Sequence, residues 1–553
     1  MRIYKSGNIS VPTDLNLTEL LHTRANEKLP ESHLIAKDSL TNRSITIGEL
    51  RQRAGCIASG LQASLGSSDG DRWAIIIPNS VEYLEISHAV LWTGGVCCPV
   101  NHALKAAEIG HALVVSRPKF VAVYGEVLDK VRDATKQARL QLNEQGIDWQ
   151  LPTIVTAISP VRGFRHIPED FFGTQKLDIP HYSDTRTRLA SIHLSSGTTG
   201  KPKGVELTHY NFVANCHQLY AHDSVQFGPT SRMVAFTPFV HIAMTGLPLF
   251  MGPWTGMFHH AMPSFNLETF GQLVESNQAN NFQGVPSVVL TMATSDITER
   301  YDFSKAEVIN VGGIRLSDEQ LNLLRRRAPW RLNQCYGMTE AAGYVAYQRA
   351  GENVPEGMVG AMLPGIEAML KREGSTDDAP DGGPGELWIR GPNITRGYAF
   401  NQDAGEKAFP LPGWFNTGDV CTIDSQGRLS VVGRTKELIK YKGFQVAPAE
   451  LEAYINSHKC VVEGGVGSIW DETQLTELPA AWVVLKPQFQ GKQSALKDIH
   501  RHVDGQVSGY KKLRGGVWEI SALPKNPTGK ILRKQMVAMR DGTCSLDRRL
   551  VKL

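Results

Sequence analysis

Leu194-Ser-Ser-Gly-Thr-Thr-Gly-Lys-Pro-Lys-Gly-Val205 combines glycines, hydroxyls and two lysines in twelve residues. Glycine lets the backbone approach an anion closely, N–H groups and hydroxyls donate to it, and lysine adds a mobile positive charge. A second segment of this kind, Pro524-Lys-Asn-Pro-Thr-Gly-Lys-Ile-Leu-Arg533, lies far downstream. The first is not a Walker loop. That pattern requires Gly, four residues, then Gly-Lys-Ser/Thr, whereas Ser195 stands at the first Gly and Pro202 follows Lys201. The pair points to nucleotide chemistry outside the P-loop ATPases.

Working outward, the 553 residues suffice for several domains, each with its own core. Hydrophobic content of 41% and charged content of 20% fit a soluble globular protein. Lys+Arg 58 against Asp+Glu 55 leaves only +3, so no global field recruits nucleic acid or an anionic membrane. Arg325-Arg326-Arg327 closes an expected helix beginning at Ser317, where cations suit the helix C-terminus. The eight cysteines are dilute and include no Cys-x-x-Cys pair, which argues for reduced thiols rather than zinc or a disulfide framework. No run reaches the length of a membrane-spanning helix, and the N-terminus has no apolar signal-peptide core. Val551-Lys552-Leu553 approximates the Ser-Lys-Leu peroxisomal address; a peroxisomal or cytoplasmic location is expected.

The first half alternates apolar runs with amphipathic segments. Trp73–Pro78, Phe120–Tyr124 and Thr153–Thr156 read as strands, and Asn79 is expected to open a helix over Ser80–Leu91. Such alternation predicts layered α/β sheets with ligands at the strand ends. Beyond about residue 360, Gly385–Arg390 and Arg428–Val432 read as short strands, Gly374–Pro384 as an exposed loop and Asp424–Gly427 as a hairpin turn. From Pro448 the pattern becomes α+β: helix Pro448–Ser457, strand Ala480–Leu485, helix Ser494–Ser508. The expected architecture is α/β, with a large N-terminal domain of layered sheets plus a β-rich subdomain (1–434) and a small mobile α+β domain (435–553).

Six segments in order carry a family resemblance: Ser195–Thr208, Tyr336–Glu340, Gly385–Gly391, Gly413–Asp419, Gly433–Gln445 and Pro524–Lys534. In them the chain resembles the acyl- and aryl-CoA ligases of the adenylate-forming superfamily. That group includes 4-coumarate–CoA ligases, fatty acyl-CoA synthetases, firefly luciferase and nonribosomal adenylation domains. The resemblance implies two half-reactions. A carboxylate attacks the α-phosphorus of ATP, releasing pyrophosphate; a thiol then displaces AMP. Positioning and charge neutralisation dominate such chemistry.

The residues carried over follow that demand. Ser195, Ser196, Gly197, Thr198, Thr199, Gly200 and Lys203 would wrap the β- and γ-phosphates. Glu340 resembles the carboxylate associated with Mg²⁺, and Thr339 an α-phosphate contact. Tyr336 would stack on adenine beside Gly312 and Gly313, while Asp419 would accept from the ribose hydroxyls with Arg434 nearby. Lys530 resembles the lysine that bridges carboxylate and α-phosphate during adenylation. Lys436 matches a hinge. Rotation about it would withdraw Lys530 and bring up Lys440 and Gln445 for thioester formation, with Gly443 and Phe444 beside the CoA arm. Taken singly, Tyr336 also reads as a core aromatic, Asp419 as a turn former, Glu340 as a first-turn helix carboxylate and Lys440 as a strand-edge lysine.

The resemblance implies CoA as acceptor and Mg²⁺ with ATP. The chain continues only 23 residues past Lys530, so no fused carrier domain is expected. A luciferase-like adenylating oxygenase, or an adenylating enzyme with an acceptor other than CoA, is the alternative. The acid pocket would be walled by His241, Ala243, Met244, Leu247, Cys335 and Met338; His241 also reads as a packed core histidine. These walls are apolar and offer no cation for a second carboxylate, which favours an aryl or medium-chain fatty acid. One methylene in such a pocket is worth only about 1–3 kcal/mol, so broad specificity is expected.

Overall fold

The computed structural model describes residues 1–553 except 24–27, 196–201, 285, 313–330, 353, 356, 436, 442–443, 473, 475, 508, 526–528, 541 and 547–553. The expected helix from Ser317, the hinge position Lys436 and the C-terminal tripeptide therefore lie outside the described residues. Among those described, no helix is long and apolar enough to cross a membrane.

The alternating pattern of the first half folds as the strand and helix periods dictate. Strands Arg72–Ile76, Val96–Pro99, Phe120–Tyr124, Thr153–Ala157 and Leu189–Ser195 lie parallel in an eight-stranded sheet. They are apolar and buried on both faces, as a helix-covered parallel sheet requires. Trp73 and Phe120 are cross-strand partners whose rings stack at 4.5 Å. Lys203–Thr208 and Gly397–Tyr398 then add an antiparallel edge.

A larger, 14-stranded sheet changes character along its length. Leu34–Asp38, Phe258–Ala261, Arg232–Ala235, Asn281–Gly284, Val308–Val311 and Arg331–Met338 run parallel. From Gly343–Tyr347 onward the neighbours are antiparallel, through Arg428–Arg434, Phe415–Ile423, Gly385–Arg390 and Glu367–Lys371. This antiparallel end is the β-rich subdomain. Asp424–Gly427 is the expected hairpin turn, with Gly427 at φ 75°.

One expected boundary shifts. Ser80, not Asn79, caps the helix Val81–Trp92, its side chain accepting from Tyr83 N. Both residues are good cap formers, and Asn79 has other work. Buried, it donates to Thr237 O and Met262 O and accepts from Phe239 N. It thereby clamps the end of one sheet to the segment leading to His241. The preceding strand also ends at Ile76 rather than Pro78.

After residue 438 the chain builds a separate core. Helix Pro448–Ser457 and helix Gln493–Gln506 pack with strands Val461–Asp471, Thr476–Leu485 and Val517–Glu519 around Leu451, Val466, Val483 and Leu496. All eight cysteines of the protein are buried thiols. Burial pushes Cys98 up to about 12, so it is not a nucleophile at neutral pH.

Candidate active site

Ser195 and Lys203 end one strand and begin the next, and their backbones pair directly. The two ends of the glycine-rich segment are thus brought together at the edge of the smaller sheet. Across from them, Thr339 and Glu340 occupy a tight turn, Thr339–Ala341, that follows strand Arg331–Met338. Glu340 is not in the first turn of a longer helix; its carbonyl accepts from Thr395 N at 2.7 Å.

A cavity of about 1060 Å³ lies between these elements. Its polar lining includes Ser195, Lys203, Thr339, Glu340, Arg434 and Lys530. Gly312, His241, Ala243, Met244, Cys335 and Met338 line it as well. Gly312 has a steric reason: a Cβ there would come 2.8 Å from Cys335 Sγ. Met244 leads into Thr245–Met251, a widened helical turn that contains Pro248. Proline supplies no N–H to a regular helix, and such widened turns recur at functional sites. His241 opens into this space, yet the surrounding protein lowers its pKa and keeps the imidazole neutral.

Tyr336 and Asp419 stand behind the wall rather than on it. Both are buried, and the Tyr336 hydroxyl donates to Asp419 Oδ2 at 2.6 Å. Asp419 and Arg434 are cross-strand partners, with Arg434 Nε 3.1 Å from Asp419 Oδ1. Burial nevertheless raises the Asp419 pKa, Arg434 and the Tyr336 hydrogen bond pulling the other way. Gly418, at φ 70°, precedes Asp419 inside strand Phe415–Ile423, so Asp419 is a strand residue and not a turn former. Leu247 is likewise buried in the core, away from the cavity surface.

Lys530 reaches the cavity from the C-terminal part. Its Nζ lies 3.2 Å from Glu437 Oε1, and Glu437 Oε2 in turn takes Arg533 Nε at 3.2 Å. Burial and the neighbouring Arg434 lower the Lys530 pKa, against the pull of Glu437. Burial alone would raise the Glu437 pKa, but Lys530 and Arg533 hold it low. Lys440, by contrast, is not on the cavity. It pairs with Glu373 at 2.7 Å on the flank of the large sheet. Its strand, Ile439–Tyr441, pairs with Phe444–Val446, setting Lys440 opposite Gln445 and Tyr441 opposite Phe444. Ser196, Gly197, Thr198, Thr199, Gly200, Gly313, Lys436 and Gly443, and the side chains of Phe444 and Gln445, lie outside the described residues.

Residues 22–399 match the AMP-binding enzyme family, and residues 450–530 match the AMP-binding enzyme C-terminal domain. The chain belongs to the AMP-binding enzyme family. It is 30% identical over 520 residues to 4-coumarate-CoA ligase 1 of Narcissus pseudonarcissus, covering 93% of this chain and 92% of that one. It is 31% identical over 493 residues to probable 4-coumarate–CoA ligase 1 of Dictyostelium discoideum, covering 87% of each. The fold is shared with ATP-bound MatB from Rhodopseudomonas palustris, at TM-score 0.82 and 24% identity over 95% of this chain and 99% of that one. It is shared also with the anthranilate CoA ligase AuaEII in complex with anthranoyl-AMP, at TM-score 0.82 and 20% identity over 96% and 98%. Membership makes the protein an enzyme of the AMP-forming acid–CoA ligase class.

Two residues at the site carry no sequence signal of their own. Tyr398 contacts both Lys203 and Glu340, and Glu437 anchors Lys530. Tyr398 and Glu340 are 58 positions apart, and strand pairing beside Lys203 together with the Thr395 N–H bond to Glu340 O brings them together.

Proposed function

We propose that the protein joins an aryl or medium-chain fatty acid to CoA through an acyl-adenylate. The observation that carries this reading is the presence of Lys530 on the same cavity as Ser195, Lys203, Thr339 and Glu340, together with the apolar Ala243, Met244 and Met338. The acid carboxylate and the α-phosphate of ATP repel each other. Lys530 stands where it would neutralise both while the carboxylate oxygen attacks phosphorus and pyrophosphate departs toward Ser195 and Lys203. Asp419, held by Tyr336 and Arg434, offers acceptors for ribose hydroxyls near the wall.

Mg²⁺ fits the donor set. Glu340 presents a carboxylate to the phosphate side, with one oxygen engaged by Tyr398. Among the described residues there is no group of three or more His, Cys, Asp or Glu side chains for a metal. A single carboxylate suits an ion held mainly by substrate phosphates. When bound, Mg²⁺ would neutralise charge on the departing pyrophosphate.

For the second half-reaction we infer a rotation of the part from 435 onward relative to 1–434, exchanging Lys530 for Lys440. The separate core beyond residue 438 supports this division. The acid class rests on Ala243, Met244 and Met338, apolar side chains that share the cavity with Lys530. Acid-dependent AMP and pyrophosphate formation across a panel of acids, with and without CoA, tests the reading. Formation of ADP, or no acid-dependent AMP, would sink it.

A further inference from the structure

Tyr398 lies between the two groups expected to meet the nucleotide's phosphates. Its hydroxyl donates to Glu340 Oε1 at 3.0 Å. Its ring lies under the Lys203 ammonium, 4.8 Å from the centroid. Among the described residues, Glu340 Oε2 takes no protein donor and Lys203 forms no ion pair. Tyr398 itself lines the cavity.

The backbone around it is fixed on both sides. Tyr398 pairs with Val205 on the strand that begins at Lys203. Three residues earlier, Thr395 N donates to Glu340 O at 2.7 Å, and the Thr395 hydroxyl donates to Glu206 O at 2.6 Å. The segment 395–398 therefore grips the Glu340 turn by main chain and side chain while bonded to the Lys203 strand. A carboxylate with one oxygen held has one oxygen presented in a set direction. A lysine resting on an aromatic face gains a weak, sliding attraction that holds it without neutralising it.

We propose that Tyr398 is a positioning residue for adenylation: it orients Glu340 so that the second carboxylate oxygen meets the ion on the ATP phosphates, and it seats Lys203 beside them. This rests on the adenylation reading of the site. Groups that orient a metal-binding carboxylate typically matter about 10- to 100-fold in metal affinity or activity.

The test uses the full chain with Tyr398→Phe, which keeps the ring and removes one oxygen, Glu340→Gln, and the double variant. ATP binding is followed by calorimetry across a Mg²⁺ titration, alongside pyrophosphate release with an active acid. Tyr398→Phe is expected to need about 10- to 100-fold more Mg²⁺ for half-maximal ATP affinity. In the Glu340→Gln background the same substitution should add nothing. A Mg²⁺ requirement equal to wild type, or an equal further loss in the Glu340→Gln background, overturns the proposal. If wild type forms no acid-dependent AMP, the ligase reading fails instead, while the calorimetric comparison still decides the role of Tyr398.

Discussion

The ammonium of Lys440 sits 2.7 Å from a carboxylate oxygen of Glu373, the residue two places beyond strand Glu367–Lys371 of the large sheet. Lys530 meanwhile occupies the cavity. The two lysines implied for opposite half-reactions are thus in opposite situations, one on the cavity and one paired away from it. The pair is partly exposed, the Lys440 side chain at 62%, and the hydrogen bond to Glu373 raises its pKa. Exposed pairs contribute at most about 1 kcal/mol, or roughly fivefold in an equilibrium. Glu373→Gln should therefore leave global stability almost unchanged. It should favour the thioester-forming arrangement up to about fivefold, read by single-turnover conversion of supplied acyl-adenylate and CoA. An unchanged single-turnover rate would remove Glu373 from the cycle.

Lys530→Ala should cripple adenylation about a hundred- to thousandfold, the usual cost of removing one charge contact to a transition state. Thioester formation from supplied acyl-adenylate should survive. Lys440→Ala should reverse the pattern. The two half-reactions assayed separately for both variants check this, and equal loss of both in both variants would exclude the lysine exchange.

Much of this was readable in the chain, for physical reasons that differ by element. Phe120–Tyr124, Gly385–Arg390 and Pro448–Ser457 fold within their expected bounds because periodicity and end signals agree there. Asp419 and Arg434 were named through the family resemblance alone; that they are cross-strand partners comes from the hairpin register. Asn79 was misread by one position because two adjacent residues can both cap, and only the distant Phe239, Thr237 and Met262 decide between them. Tyr398 and Glu437 were invisible because their partners come from strand order and from packing between segments distant in sequence, which no local spacing encodes.

The Tyr336–Asp419 hydrogen bond predicts a pH effect. On the proposed reading Asp419 accepts from ribose hydroxyls as a carboxylate, and burial raises its pKa above that of an ordinary aspartate. The Tyr336 hydroxyl, itself kept protonated by burial and by Asp419, works against that rise. In Tyr336→Phe the carboxyl should protonate at still higher pH. The acid limb of kcat/KM for ATP should move upward, while the alkaline limb stays in place. A pH–rate profile of pyrophosphate release decides the matter; superimposable acid limbs would show that Asp419 does not govern it.

Buried neutral histidines predict acid sensitivity of the fold. Burial lowers His88 to about 4, and His193, His209 and His259 to about 3. The unfolded chain binds protons at these groups near pH 6.5, before the native protein does. Their stabilising effect is therefore complete above pH 6.5 and is lost as pH falls toward 3–4. Each tenfold difference in proton affinity is worth about 1.4 kcal/mol. His193 sits between Ser191 and Thr245, 2.7 and 3.0 Å from their hydroxyls. Urea unfolding from pH 7.5 to 4.5 should show falling stability, with a shallower slope in His193→Gln. A slope unchanged by that substitution would place the sensitivity elsewhere.

Ala243 offers the sharpest handle on the acid. It lines the cavity beside Met244, between His241 and the widened turn Thr245–Met251, and its side chain is a single methyl group. An aromatic ring at this position must project from the same backbone, because the short helix Ile242–Met244 is fixed by bonds from Met244 N and Thr245 N to His241 O. The ring therefore subtracts volume from the cavity instead of turning into the core. In an apolar pocket each methylene of misfit changes kcat/KM by about 10- to 200-fold. Ala243→Phe should penalise the longest or bulkiest acids accepted by wild type by at least about tenfold, and spare the smallest. KM for ATP should hold if Ala243 serves the acid alone, as proposed. Competition between a short and a long acid in one reaction, read as the ratio of acyl-CoA products, measures the shift directly. An unchanged ratio would remove Ala243 from the acid pocket and leave the apolar wall at Met338 and Cys335 to define it.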